Sequence, residues 1–379
     1  MPFREVSKMD ARLEFVTLAR QPGVNIRELC RRYGISPDTA YRLLKRFDQQ
    51  GPAGLADRSR RPHTSPAQTS KGLIDEVVAL RNKQPSWGGR KIHHVLKTRF
   101  KSQSVPAAST ITDILTRHKL IDPETTPVPY VRFERAAPNE LWQMDFKGPL
   151  ASAQGDCHPL TVLDDHSRFN ILLEACVNQK GSGVKTHLIS AFRRYGLPVQ
   201  ILSDNGAPFG STHPGLGGLS ALGVWLIRLG IDPIHGRPYH PQTQGKEERF
   251  HRTLKAAVVS GRCYATIDDY RPAFEEFRDS YNLERPHEAL AMATPASRYQ
   301  PSPHKFPEIL PPVEYAPADQ VRRVHEKGAI QFKGHRYFIS VALAHQHIAM
   351  RATTADGLWD IYFCTRKIAT LNQKDHTVT

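Results

Sequence analysis

The chain has 379 residues, 39% of them hydrophobic, so it is long enough for roughly two to four domains with packed cores. No apolar run reaches the roughly 18 residues of a membrane span, and the N-terminus lacks the apolar core of a signal peptide, so we expect a cytoplasmic protein. Five scattered cysteines, none in a Cys-x-x-Cys pair, indicate neither a disulfide framework nor a cysteine-rich zinc site.

The positive charge is concentrated in the first third of the chain. The formal net charge is +15, and residues 1–130 carry 23 Lys and Arg against 12 Asp and Glu, while residues 131–379 carry 29 against 25. A basic N-terminal third predicts contact with phosphates, which gives affinity for nucleic acid without sequence information. Charge alone is equally compatible with ordinary solvated helix faces.

The first module has the pattern of a helix-turn-helix. Asn25 is placed to cap a helix whose apolar face ends before Gly34, and Ser36-Pro37 is a typical start for the next helix, predicted over Pro37–Phe47. The second helix of this motif normally enters the major groove of DNA. The alternative is an ordinary helical hairpin. The residues expected to contact DNA are Thr39, Tyr41, Arg42 and Lys45 on this helix, and Arg58, Arg60 and Arg61 in the basic segment that follows.

A second helical module follows, with apolar stripes at Leu73–Leu80, Ile92 and Ile111–Leu115. A proline-rich segment then leads into a region where apolar strand-like runs alternate with helical patterns, which indicates a mixed α/β layer fold. The strands are predicted at Leu141–Gly148, His158–Leu163, Phe169–Ala175 and Val199–Leu202, with a helix at Ser190–Tyr195.

Three acids stand in this region where a carboxylate is costly to place. Asp145 interrupts an aromatic strand-like run, and Asp204 follows the apolar run Val199–Leu202 at a turn. Glu248 begins an amphipathic helix. Such carboxylates can converge on hard divalent cations, which prefer oxygen ligands. The neighbouring Glu247 is the alternative third acid, but its spacing to Phe250 puts it near the apolar face of the helix.

The tail alternates apolar and polar residues over about Val321–Leu371, with hairpin signals at Lys333-Gly334 and Asp356-Gly357. Several short strands of this kind predict a small β-barrel. Its direct role is open between DNA binding or assembly and simple packing.

The order of these motifs resembles bacterial insertion-sequence transposases of the DDE type, whose catalytic core is of the retroviral-integrase kind. The matching segments are the three acids, Leu163–Phe169, His240–Gly245, Glu248–Lys255, Tyr281-Asn282, Arg285–His287 and Thr294-Pro295. Asp204 and Glu248 are separated by 43 residues, more than is usual in the family. Because the added length falls in a predicted loop and helix, where insertions are tolerated, it indicates a subgroup.

The resemblance implies a ribonuclease-H-like core in which Asp145, Asp204 and Glu248 are both catalytic and metal-binding, with two Mg²⁺ ions for which Mn²⁺ can substitute. It implies binding to double-stranded DNA, at the element ends and at the target, as at least a homodimer on DNA, in a nucleoid-associated protein without membrane contact. Lys246, Arg252 and Lys255 are further expected DNA contacts. The predicted division is 1–52 helix-turn-helix, 53–68 basic linker, 69–122 second helix-turn-helix or winged helix, 123–137 linker, 138–300 catalytic core, 301–318 linker and 319–379 small β-barrel.

Two other functions remain open at this stage. One is a helix-turn-helix transcriptional regulator without catalysis, and the other is a structure-selective nuclease on the same fold. Asp164 and Asp165 also lie near the predicted site, and we expect them to form a turn with Arg168 as a local ion partner.

Overall fold

A computed structural model of the chain describes residues 7–57, 68–100, 104–121, 134–210, 219–236 and 245–379. The chain divides into two compact units, Met1–Gln68 and Thr69–Thr379. The finer division predicted above stays a proposal. No helix in the described ranges is long and apolar enough to span a membrane.

The first unit is a helix-turn-helix built on the predicted caps. Its helices are α1 (Lys8–Ala19), α2 (Ile26–Tyr33) and α3 (Pro37–Gln50). The Asn25 side chain accepts hydrogen bonds from two backbone N–H groups at the start of α2, and Gly34 ends α2 with a left-handed φ of 62°. Ser36 caps α3, with Pro37 in its first turn. The helix pair is confirmed, whereas α1, which adds Phe15 and Val16 to the core, was not predicted.

A second group of three helices opens the larger unit: α4 (Lys71–Lys83), α5 (Gly89–Arg99) and α6 (Ala108–Arg117). They enclose a small apolar core formed by Val77, Leu80, Trp87, Ile92, Leu96, Ile111, Ile114 and Leu115. Polar contacts connect the group to the segment around residues 280–288. The Gln84 amide donates to the Ser280 hydroxyl over 2.7 Å, and Arg90 pairs with Glu288 at 3.2 Å.

A six-stranded mixed sheet forms the centre of the larger unit. Its strands are β1 (Leu141–Phe146), β2 (Leu150–Ser152), β3 (Gly155–Asp164), β4 (Asn170–Cys176), β5 (Gln200–Ser203) and β6 (Asp232–His235). Strand β3 pairs antiparallel with β1, β2 and β4, while β5 lies parallel between β1 and β6. The predicted mixed α/β core is therefore confirmed, and β2 and β6 are additional strands.

Helices cover both faces of this sheet. On one face lie α7 (Gly181–Tyr195) and α8 (Ala221–Arg228), and on the other lie α9 (Gly245–Leu254) and α10 (Tyr270–Asp279). Because side chains alternate along a strand, Trp142 and Met144 of β1 enter the α7 side. Gln143 and Asp145 consequently project toward α9. A short helix, α11 (Pro295–Arg298), follows.

The C-terminal strands form an antiparallel sheet and a separate hairpin. The strands are β7 (Gln320–Arg323), β8 (Ala329–Phe332), β9 (His335–Phe338), β10 (His347–Ala352), β11 (Leu358–Phe363), β12 (Arg366–Asn372) and β13 (Thr377–Val378). The five-stranded sheet has the order β13-β12-β11-β10-β7, while β8 pairs with β9. Both hairpin signals are confirmed, with Gly334 and Gly357 at positive φ. The predicted barrel is not closed, because the β8–β9 hairpin is a separate sheet.

Helix α8 belongs to two cores at once. Leu222, Trp225 and Leu226 pack in the core of the six-stranded sheet, whereas Val224 and Ile227 pack in the core of the C-terminal sheet. A helix that is apolar all round is buried on all sides, and α8 achieves this by lying between the two sheets. Arg366 of β12 also forms an ion pair with Asp232 of β6. The C-terminal sheet is thus connected to the six-stranded sheet through the shared helix α8 and this ion pair.

Replacement of Ile227 by alanine is expected to lower the free energy of unfolding of the larger unit by about 2–5 kcal/mol, because it leaves a cavity in the C-terminal core. Differential scanning calorimetry measures the shift. The matched control is Val199→Ala at a half-exposed position, which should change the free energy by less than about 0.5 kcal/mol. Equal melting of Ile227→Ala and Val199→Ala would contradict the shared role of α8.

Candidate active site

The two aspartates lie side by side at the ends of neighbouring parallel strands. In the β1–β5 register Gln143 is paired with Leu202, and Asp145 and Asp204 each lie two residues beyond that pair. Since the carboxyl ends of parallel strands meet at one edge of a sheet, both carboxylates stand at the same edge. The strand pattern read from the sequence places Asp145 correctly, and the parallel register brings Asp204 to it.

Asp145 is in an environment that opposes its negative charge. Burial is the largest cause of its raised pKa, and the negative charges of Asp204 and Glu248 add to the effect. The pKa of Asp145 is therefore raised from 3.8 to about 7. Each of two neighbouring carboxylates makes the negative charge of the other less favourable, and a cation bound between them stabilises both charges. The all-oxygen character of the three side chains fits a hard divalent ion.

The turn after β5 holds Asp204 at the sheet edge. The backbone N–H of Gly206 donates to Asp204 Oδ1 over 3.2 Å, and the Asn205 amide donates to the carbonyl of Gly236 over 2.9 Å. A Cβ atom on Gly206 would lie 3.0 Å from Asp204 Oδ2. Asn205 and Gly206 therefore shape this turn, and the glycine leaves room beside the carboxylate.

Glu247 and Glu248 point in different directions from the start of α9. Glu247 is only 1% exposed, whereas Glu248 is exposed to solvent. The orientation predicted from the spacing to Phe250 is therefore confirmed. Burial, followed by the charge of Asp145, raises the pKa of Glu247 well above its ordinary value. The assignment of Glu248 as the third metal ligand stays a prediction.

The three carboxylates do not form a closed ligand set as they stand. Within the described ranges, no group of three or more His, Cys, Asp or Glu side chains is arranged to hold a metal ion. Glu248 is close enough to Asp145 to affect its pKa. The geometry thus brings the three acids into one electrostatic neighbourhood, and their joint ligation is left to the proposal below.

Two residues next to Asp145 were not assigned a role from the sequence. Thr161 is directly opposite Asp145 in the β1–β3 register, and the Nδ1 atom of His251 lies 3.9 Å from Asp145 Oδ2. Burial, with a smaller effect of the Lys147 charge, lowers the pKa of His251 to about 4, so its imidazole is neutral at pH 7. Helical spacing from Glu247 was the one signal that could have placed His251 on this side of α9.

The turn between β3 and β4 is buried and internally hydrogen-bonded. Asp164 Oδ1 accepts from the N–H and hydroxyl of Ser167 over 2.7 and 2.6 Å, which agrees with the expected turn role. The expected ion partner is wrong, however. Arg168 pairs with Glu134 at 2.8 Å, because that carboxylate arrives from the preceding segment and the aspartates are already occupied by hydrogen bonds.

Lys246 lies in an ion pair and also remains a candidate for DNA contact. Its ammonium group contacts the carboxylate of Asp165, which is fully buried, and it lies 3.3 Å from the carbonyl oxygen of the same residue. Burial lowers the pKa of Lys246 to about 8. The ion pair anchors the first turn of α9, and the predicted DNA contact stays a prediction.

The other predicted DNA contacts are mostly on exposed surfaces. Tyr41 is 58% exposed, Arg42 forms an exposed ion pair with Asp38 at 3.1 Å, and the Thr39 hydroxyl is bonded to that of Ser36. Three further residues are exposed, namely Lys45 on α3, Arg252 on α9 and Lys255 just after it. Arg58, Arg60 and Arg61 lie outside the described residues.

Family models match consecutive parts of the chain. A helix-turn-helix domain matches residues 11–63 and a homeodomain-like domain matches residues 39–115. Integrase core domain models match residues 135–241 and 229–295. The C-terminal domain of the IS481 family transposases matches residues 319–379.

Curated relatives and solved structures resemble the same region. An uncharacterized 39.2 kDa protein of the insertion element IS476 from Xanthomonas euvesicatoria is 23% identical over 64% of this chain and 69% of its own. An uncharacterized 31.7 kDa protein of the insertion element IS407 from Burkholderia multivorans is 26% identical over 42% of this chain and 55% of its own. A simian T-cell lymphotropic virus intasome chain aligns with 76% of this chain and 96% of its own, at 16% identity and a TM-score of 0.37.

The family-model matches, together with the acids at the sheet edge, define the class as a polynucleotidyl transferase with an integrase core. The chain belongs to the DDE-type insertion-sequence transposases. Its C-terminal sheet is similar to that of the IS481 family.

Proposed function

We propose that this transposase cuts and joins DNA at the ends of an insertion sequence, with Asp145, Asp204 and Glu248 as its catalytic and metal-binding residues. The observation that carries the proposal is the pair of aspartates at the ends of β1 and β5, with Glu248 near enough to raise the pKa of Asp145. Surface acids are usually separated and solvated, whereas these three influence one another at one sheet edge, where Asp145 is partly buried.

The cofactor of such a core is a divalent metal ion, and we propose two Mg²⁺ ions held by the three carboxylates, with Mn²⁺ able to replace them. When bound, the ions would stabilise the attacking and leaving oxygens of a phosphoryl transfer. The protein contributes to metal binding by holding its carboxylates at the edge of the sheet, where Gly206 leaves space beside Asp204. The pKa of Asp145 should then fall toward its ordinary range.

The reaction proceeds in two steps of the same kind. In the first, a water oxygen attacks a phosphodiester at the element end, the bond from phosphorus to the 3′ oxygen breaks, and a 3′-hydroxyl is released. In the second, that hydroxyl oxygen attacks a target phosphodiester, so the element strand is joined while the target 3′ oxygen leaves with a proton. No covalent link to the protein is required.

The helix-turn-helix segments would recognise the terminal inverted repeats. The exposed start of α3, with Tyr41, Arg42 and Lys45, faces solvent and can reach base edges or phosphates. Arg252 and Lys255 follow Glu248 near the active site and would contact phosphates there. Two element ends must be held together for joining, so we propose at least a dimer on DNA, associated with the bacterial nucleoid.

Lys45→Ala is expected to weaken binding to an element-end duplex and to reduce the slope of log affinity against log salt by about 0.9, because one phosphate contact is lost. Arg42→Ala should act similarly, although its ion pair with Asp38 reduces the effect. Fluorescence anisotropy at several salt concentrations measures both. The control Arg262→Ala removes an exposed charge from the larger unit, and an equal slope change in all three variants would refute a specific role for α3.

Asp145→Asn, Asp204→Asn and Glu248→Gln should each reduce cleavage and joining more than about 100-fold while DNA binding persists, because each variant loses a charged metal ligand. The assay uses labelled DNA with the inverted repeats that flank the gene, in Mg²⁺. The control Glu284→Gln neutralises an exposed acid of the same unit and should remain active.

The outcomes separate the competing functions. Joining by wild type that all three variants lose supports the transposase and its triad. Cutting without joining, and without preference for the repeat ends, would indicate a structure-selective nuclease. Binding to the ends without cutting, in conditions that allow assembly, would indicate a regulator.

A further inference from the structure

A buried carboxylate lies immediately behind the candidate active site and has no role in the proposal so far. Glu247 is 1% exposed, and its Oε2 atom is 3.0 Å from the Thr161 hydroxyl. Within the described part of the chain its Oε1 atom has no hydrogen bond of good geometry, and besides Thr161 only the backbone of Leu163 lies close enough to favour the charged form. Burial of a carboxylate with incomplete hydrogen bonding costs free energy, so stability alone does not account for this residue.

The Thr161 hydroxyl connects Glu247 with Asp145. Its oxygen lies 3.0 Å from the main-chain carbonyl oxygen of Asp145, 3.0 Å from Glu247 Oε2 and 2.9 Å from the Nε2 atom of His251. Thr161 is fixed in this place because it is paired with Asp145 across the antiparallel ladder of β1 and β3. A single hydroxyl therefore joins the strand that carries one catalytic acid to the helix that carries another.

His251 makes the second connection, to the side chain of Asp145. Its Nδ1 atom lies 3.9 Å from Asp145 Oδ2, and its Nε2 atom lies 3.6 Å from Glu247 Oε2. Glu247 and His251 are one helical turn apart, so they project from the same side of α9. The imidazole thus fills the space between Asp145 and the buried glutamate and limits the orientations of the Asp145 carboxylate.

Glu247 is also the residue directly before Glu248. The contact of Glu247 with Thr161, together with the ion pair of Lys246 with Asp165, fixes the first turn of α9 against β3 and the turn that follows it. The direction in which Glu248 leaves the helix is set by that first turn. The same buried contacts consequently constrain the acid on β1 and the acid on α9.

We propose that Thr161, Glu247 and His251 are positioning residues that set the carboxylates of Asp145 and Glu248 relative to each other for metal binding. They act from behind the site and do not ligate the metal themselves. The inference rests on the proposed function, because it assumes that Asp145 and Glu248 hold metal. Residues that support metal ligands in this way typically change metal affinity or activity about 10–100-fold when they are replaced.

The test compares variants that remove or keep the connecting groups in the full-length protein. Thr161→Val removes the hydroxyl at nearly constant shape, while Thr161→Ser keeps it. Glu247→Gln keeps the size of the side chain and removes its ionisable carboxyl group. The first measurement is the affinity for Mn²⁺ alone, from the electron paramagnetic resonance signal of the free ion. The second is the Mg²⁺ concentration that gives half-maximal DNA cleavage, and thermal melting checks the fold.

We expect Thr161→Val and Glu247→Gln to weaken Mn²⁺ binding about 10–100-fold and to raise the half-maximal Mg²⁺ concentration by a similar factor. Thr161→Ser should restore both values to near those of wild type. A purely structural role would lower the melting temperature and the active fraction of protein, and would leave both metal dependences unchanged. Unchanged metal dependence in Thr161→Val and Glu247→Gln would therefore overturn the proposal.

Two further outcomes are distinguishable. Loss of all metal binding in Glu247→Gln, with normal binding in Glu248→Gln, would make Glu247 the ligand and overturn its positioning role. Mn²⁺ binding that depends on Asp204 and Thr161, in a wild type that neither cuts nor joins DNA, would support the positioning set and contradict the proposed reaction. Absence of Mn²⁺ binding by wild type would overturn both.

Discussion

Repulsion between carboxylates around the partly buried Asp145 is the constraint on which the site depends. Asp145 is partly buried, and its pKa is raised to about 7 by that burial and by the charges of Asp204 and Glu248. Such an arrangement is unfavourable for the protein alone, and it becomes favourable when a cation is shared. The placement of the strands therefore gives the site an affinity for a divalent metal ion.

The rest of the fold maintains that placement. Parallel pairing of β1 with β5 puts two aspartates at equal height, and burial of the sheet on both faces fixes the register. Helix α8 ties the same sheet to the C-terminal domain, because its two sides pack in different cores. The contact of Thr161 with Glu247 connects the start of α9, where Glu248 lies, to the strand that carries Asp145.

The sequence predicted the features that depend on neighbouring residues. The caps at Asn25 and Ser36, the strand around Asp145 and the opposite orientations of Glu247 and Glu248 follow from local spacing, and each is found in the structure. Features that join distant residues could not be read in this way. Thr161 and Glu247 are 86 residues apart, Lys246 and Asp165 are 81 apart, and no periodicity predicts such pairs. The two-sided packing of α8 and the open C-terminal sheet likewise depend on tertiary packing.

The most direct test of the account is an anomalous diffraction experiment on crystals of the protein with an element-end duplex and Mn²⁺. The account predicts manganese density between Asp145 and Asp204, with Glu248 as a ligand and with Glu247 still bonded to Thr161. Manganese bound without Asp145 and Asp204, or held by Glu247 in place of Glu248, would contradict it.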